Sequence, residues 1–166
     1  VAIITAAARL VRDLPRRPRR TVRIFLAGAE ENGVHGGTEY GRVHANETHI
    51  VAAESDFGAD RVYRFRTRFA DPALPYARAM QRALTPLGVL PGDNLANGGA
   101  DTAALLQAGV PVVDLSQDGS DYFDYHHTAD DTLDKIDPAA LRQNVAAWAT
   151  FIYLAAENDW DFRAAE

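Results

Sequence analysis

The stretch that most constrains this chain is the apolar run Val22-Arg23-Ile24-Phe25-Leu26-Ala27, which gives way at once to Gly28-Ala29-Glu30-Glu31-Asn32-Gly33. A run that is apolar and starts β-branched reads as a strand covered on both faces. Glycines at 28 and 33 let the backbone leave strand geometry there. That departure matters, because neighbours on a strand point to opposite faces. Glu30 and Glu31 can serve one site only once the strand has ended. In open α/β sheets, ligands gather beyond the carboxyl ends of strands. We read Glu30 as a general base and Glu31 as a metal ligand in an active-site turn.

Other segments follow the same grammar. Residues 1–12 read as a helix with Ile3, Ile4, Ala7, Leu10 and Val11 on one face. Pro15 and Pro18 stop it. Residues 49–54 read as a second strand ending at Ser55-Asp56-Phe57-Gly58, and residues 61–67 alternate as a strand with one solvated face near a sheet edge. Residues 37–46 predict a short, weak helix, and residues 72–87 a longer one. Residues 101–109 predict a short helix with Asp101 as cap and Gly109 as stop. Residues 110–115 are a third buried strand. The last helix starts at Pro138 behind Asp137 and runs to about residue 156, with an apolar stripe at Leu141, Val145, Trp148, Ile152 and Leu154. Strands alternating with helices predict a three-layer α/β/α fold with a mostly parallel mixed sheet, forming one domain over residues 1–166. The opening helix has no cap before it, so the N-terminal part of the domain is expected to precede Val1.

Composition removes several function classes. A net charge of −6 argues against nucleic-acid binding, and the arginines from Arg16 to Arg20 read as a solvated loop. No apolar run reaches the length of a membrane span. There is no cysteine, so any metal must be held by His, Asp and Glu. The aspartates between 114 and 137 lack the spacing of an EF-hand loop, and no calcium site is read there.

Three groups fall beyond strand ends: Glu31, Asp56 and His127. Zinc accepts imidazole nitrogen and carboxylate oxygen. A metal-bound water is acidified to a pKa of about 7, and an unligated carboxylate beside it can take the proton. His126-His127-Thr128 is the more informative histidine pair, with one of the two acting as a ligand. His35, His44 and His49 read as ordinary surface or core residues.

At four ordered motifs the sequence resembles a known family. These are residues 27–33 with Glu30-Glu31, residues 54–58 with Glu54-Ser55-Asp56, Gly98-Gly99-Ala100-Asp101 with Gly109-Val110-Pro111, and residues 122–132 with His126-His127-Thr128. They resemble the co-catalytic di-zinc exopeptidases of clan MH, the group of bacterial leucyl aminopeptidases, in the branch of carboxypeptidase Q. The resemblance implies a metal-dependent exopeptidase acting on peptides or dipeptides through a zinc-activated water. Glu30 matches the general base. Glu31 and His127 match ligands of one zinc, and Asp56 a ligand of the second. Asp101 and His126 match positions near the substrate pocket or behind the ligands.

The same resemblance implies a further His and a bridging Asp upstream of the Glu-Glu motif, and neither can be assigned between Val1 and Glu30. Two zinc ions are therefore expected in an intact domain, with reduced or no occupancy and no competent centre in this chain alone. Alternatives are a non-catalytic binding module on the same fold and a single-zinc acyltransferase similar to glutaminyl cyclase. Four retained site residues weigh against the first, and the His-His-Thr segment against the second. Missing sheet strands would leave an exposed edge, so association between copies is expected. A periplasmic or secreted location is what the resemblance implies.

Overall fold

A computed structural model describes residues 1–163. Its centre is a four-stranded sheet in the order β1-β4-β2-β3, formed by β1 (Ala52–Ala53), β2 (Val62–Arg68), β3 (Leu90–Pro91) and β4 (Val112–Gln117). β1 runs parallel to β4 and β2 parallel to β3, while β2 and β4 pair antiparallel through their whole length. The sheet is therefore mixed, as the alternation of elements predicted.

Helix α1 (Ala2–Arg12) packs on α6 (Pro138–Glu157), α3 (Leu74–Leu84) packs on α6 and β3, and the short α5 (Tyr122–Tyr125) leads into His126-His127. On the other side of the chain's path, α2 (His35–Val43) packs on the short α4 (Ala103–Gln107). The core joins Val62 and Phe65 of β2, Val113 and Leu115 of β4, Met80 and Leu84 of α3, and Trp148 and Phe151 of α6. Each such side chain contributes about 1.5–3 kcal/mol by leaving water.

Helix α6 forms as its sequence dictates. Pro138 occupies the first turn, where no N–H is needed, and the Asp137 side chain accepts the Ala139 N–H at 2.8 Å. Its inward face keeps Trp148 and Ile152 of the expected stripe, both buried, and differs at the rest. Ala140, Asn144, Ala147, Phe151 and Ala155 are buried, while Leu141, Val145 and Leu154 are only partly so. Small residues on that line let α1 approach closely, with Ala7 fully buried between them. Leu10, expected on the inner face of α1, is 55% exposed. Two polar residues of α6 pin the start of β2. Gln143 accepts the Val62 N–H at 2.9 Å and donates to its carbonyl at 2.8 Å, and Asn144 donates to the Asp60 carbonyl at 2.6 Å.

Three sequence expectations need correction. Residues 21–27 form no strand, and among the described residues no backbone–backbone hydrogen bond engages them. Only Ala52 and Ala53 of the second predicted strand are paired. The 61–67 strand lies near the sheet edge, as expected, with only the two-residue β3 outside it. Arg20 is not a solvated arginine: its guanidinium donates to the carbonyls of Ala155, Asn158 and Trp160 at 2.8, 2.6 and 2.8 Å. A cation on the last carbonyls of a helix satisfies orphan acceptors and favours the dipole. Arg16 pairs with Glu157 at the same helix end.

Candidate active site

The Glu30–Glu31 turn is built by backbone bonds. The N–H groups of Gly33 and Val34 donate to the Glu30 carbonyl at 3.0 and 2.9 Å, and Gly36 N–H donates to the Gly28 carbonyl at 3.0 Å. Ala29 and Val34, which bracket the turn, both have left-handed backbones, with φ of 59° and 57°. For a β-branched residue such as Val34 this conformation is strained, and strain of this kind concentrates at functional sites. The reversal takes both carboxylates out of strand alternation.

The two carboxylates then part company. Glu31 Oε1 lies 2.9 Å from His127 Nε2, and both side chains are exposed. Among the described residues Glu30 makes no such pair. Its carboxyl is raised above the usual range by partial loss of water, then by the charges of Glu31, Asp56 and Asp101, with His127 opposing. Glu30, Glu31, Asp56 and Asp101 thus share one electrostatic neighbourhood.

His127 is held from behind. Its ring stacks on His126 at 3.8 Å between centroids, His126 on Tyr122 at 4.6 Å, and Tyr122 on Phe57 at 4.1 Å. This ladder joins the segment carrying Asp56 to the segment carrying His127. His127 also has a left-handed backbone, φ 59°. The following Thr128 donates its hydroxyl to the Tyr125 carbonyl at 2.7 Å and accepts the Asp130 N–H at 3.2 Å, closing the turn. His126 therefore supports His127 by stacking rather than by a hydrogen bond.

Asp101 does not cap α4. The cap position is Thr102, with no side-chain cap bond. Asp101 Oδ1 is buried without a hydrogen-bond partner, and its carboxyl is raised by burial and then by Asp56. Sequence reasoning had left out Glu54, which organises this corner. Glu54 Oε2 accepts the Asp101 N–H at 2.8 Å. Its carboxyl is pushed up to about 7, first by burial and then by Asp101 and Asp56, against the backbone donors that favour its charge. Gly99 passes so close, at φ 101°, that a Cβ there would fall 2.4 Å from Glu54 Oε2. The signal was available: on extended chain Glu54 and Asp56 lie two apart and share a face.

The donor chemistry suits zinc, but the set is short. Tetrahedral zinc takes four ligands. Glu31 and His127 are in contact, and Asp56 stands apart. Among the described residues no group of three or more His, Asp or Glu is gathered to hold a metal ion.

Comparison with known proteins agrees with the motifs. The pattern of Peptidase family M28 matches residues 1–152. Mouse carboxypeptidase Q is 35% identical over 156 residues, covering 92% of this chain and 33% of the relative. Human carboxypeptidase Q is 32% identical over 156 residues, with 92% and 33% covered. The crystal structure of a peptidase M28 precursor from Shewanella amazonensis superposes with a TM-score of 0.94 at 50% identity, covering 99% of this chain and 38% of that one. Legionella LapA shares the fold, with a TM-score of 0.68 at 15% identity over 95% of this chain and 46% of that one. The chain thus spans 33% of the length of the curated relatives named here. On its motifs, its fold and its match over residues 1–152, the chain belongs to peptidase family M28.

Proposed function

We propose that this chain is part of the catalytic domain of a metal-dependent exopeptidase, and that it supplies the general base and some of the metal donors. Glu30 is the base. Glu31 and His127 are donors to one zinc ion and Asp56 to a second, the other donors coming from outside this chain. The bound metals would supply Lewis acidity. Glu30 takes a proton from the attacking water and returns it to the departing amine. Asp101, fixed by Glu54, borders the space where a substrate amide would lie. Substrates are peptides or dipeptides with a free end. Without its missing donors the chain hydrolyses nothing.

The observation that carries this reading is the division of labour in the turn. Glu31 is engaged by His127, whereas adjacent Glu30 has no such partner among the described residues, and its carboxyl is raised by partial loss of water and then by the charges of Glu31, Asp56 and Asp101. A carboxylate tuned upward is the better proton acceptor near neutral pH.

The test joins this chain to the remainder of the S. amazonensis chain and assays zinc-dependent hydrolysis of dipeptides. Glu30→Gln should lower kcat by about 10² to 10⁴-fold with an unchanged melting temperature. Blocking both peptide termini should abolish turnover. Full activity of Glu30→Gln would overturn the assignment. Should the joined protein fail to fold, the same substitution at the equivalent glutamate of the S. amazonensis protein decides it.

A further inference from the structure

A pocket of about 420 Å³ opens beside Asp56, bordered by the loop after β1, the turn at residues 97–100 and β4. That is room for a side chain or a small ligand, whose sites run from about 300 to 1,000 Å³. Its walls are aromatic. Phe57 and Tyr122 stack at 4.1 Å between centroids, and Tyr63 stands among the lining. The rings are held closely: a Cβ at Gly119 would clash with the Phe57 ring, and one at Gly58 would fall 3.2 Å from the Tyr122 ring.

The floor is polar and rich in acceptors. Asp114 and Ser116 share the more open face of β4. Asp114 Oδ1 accepts the Gly98 N–H at 2.8 Å, and Oδ2 accepts the Asn97 N–H at 3.1 Å. A carboxylate offers about four acceptor positions, so these bonds fix Asp114 without exhausting it. Gln117 lines the pocket although it is only 6% exposed. Its Nε2 donates to the Gly58 carbonyl at 2.9 Å, and among the described residues its Oε1 accepts no hydrogen bond. A nearly buried acceptor without a donor is costly unless something entering the pocket supplies one.

The charge of the pocket is one-sided. Among the described residues no lysine, arginine or histidine lines it. Arg66 reaches Asp114 only at 3.6 Å, beyond a hydrogen bond, because it donates to Asp93 at 2.8 Å and to the Leu95 carbonyl at 3.2 Å. Glu54 is taken up by the Asp101 N–H. Asp114 is therefore the carboxylate on offer, framed by ring faces and by the Gln117 and Ser116 oxygens. An apolar side chain would leave these acceptors unpaired, and an acidic one would be repelled. A lysine or arginine side chain fits both parts, with an apolar stem against the rings and a cationic, donor-only head on the floor.

We propose that this pocket receives the basic side chain, lysine or arginine, of the substrate residue bound beside Asp56. This assignment rests on the exopeptidase reading above and names its substrate class: peptides in which a residue next to the cleaved bond is basic.

Nuclear magnetic resonance titration of the 166-residue chain tests the pocket without metal or turnover. The probes are lysinamide and norleucinamide, which share the α-ammonium and the apolar stem, the second lacking only the ε-ammonium. Lysinamide should shift the ring signals of Phe57, Tyr63 and Tyr122 saturably, and norleucinamide should bind at least about tenfold more weakly. Asp114→Asn should remove that difference. Because Asp114 also holds the 97–98 turn, a second variant is needed. Ser116→Lys leaves the Asp114 bonds in place and sets an ammonium on the same face, so it should abolish lysinamide binding at an unchanged melting temperature. Equal binding of the two amides would overturn the proposal. So would undiminished lysinamide binding in Ser116→Lys, or shifts falling equally on Tyr153 of α6. The titration needs no catalysis, so failure of the pocket is told apart from failure of the exopeptidase reading, which the Glu30→Gln assay decides.

Discussion

His127 Nε2 sits 2.9 Å from Glu31 Oε1, although the two residues are 96 positions apart in the chain. Both side chains are more than half exposed. An exposed pair of this kind adds little to stability, so its position reflects what lies around it. Glu31→Gln and His127→Ala should each leave the melting temperature unchanged within error. Each should also remove the metal-dependent change in the imidazole NMR signals of the wild-type chain. A clear loss of thermal stability in either variant would mean that the contact holds the fold together.

Glu54 should make stability fall as pH rises. Its carboxyl is pushed up to about 7 in the folded chain and returns to the ordinary range on unfolding. The folded state therefore holds the proton more tightly. The resulting stabilisation is fully present below about pH 4.5 and is lost as pH rises through about 7. The side chain is only partly buried, so screening reduces the effect to about 1 kcal/mol. Glu54→Gln keeps an acceptor for the Asp101 N–H and cannot ionise. Urea titrations between pH 4 and 8 should show this component of the slope flattened in the variant. An unchanged slope would place the carboxyl in its ordinary range.

Gly37→Ala sets two effects against each other. Alanine in a helix interior gains about 0.8–1.0 kcal/mol over glycine. The added Cβ at Gly37 would fall 2.4 Å from the Asp101 carbonyl oxygen and 2.8 Å from its Cα, and both are backbone atoms that cannot swing aside. Overpacking of that kind costs about 1–3 kcal/mol or more, so the clash wins. Urea denaturation should show a net loss of stability. A gain would mean that α2 and the Asp101 turn are not packed together.

Much of the layout was legible because it rests on local rules. The Asp137–Pro138 start of α6, the alternation in β2 and the glycine after α4 follow from one residue and its neighbours. The reversal at Glu30–Glu31 was legible because glycines flanked it. Strand pairing was not: residues 21–27 have every local mark of a strand, yet a strand needs a partner backbone, and sequence pattern does not report one. Arg20 was misread because its acceptors are carbonyls at the end of α6, far along the chain. The contacts among Arg23, Tyr40, His44, Glu47 and His49 had no spacing signal, as they depend on where α2 lands. Asp101 resembled a cap by position, but Glu54 takes its N–H and leaves the side chain facing the site.

The central claim is that this chain carries only part of a zinc site: Glu31 with His127, and Asp56 apart from them. Calorimetric titration of the purified chain with zinc tests it most directly. The expected result is at most one weakly bound ion per chain, with binding lost in His127→Ala. Two tightly bound ions per chain would contradict it.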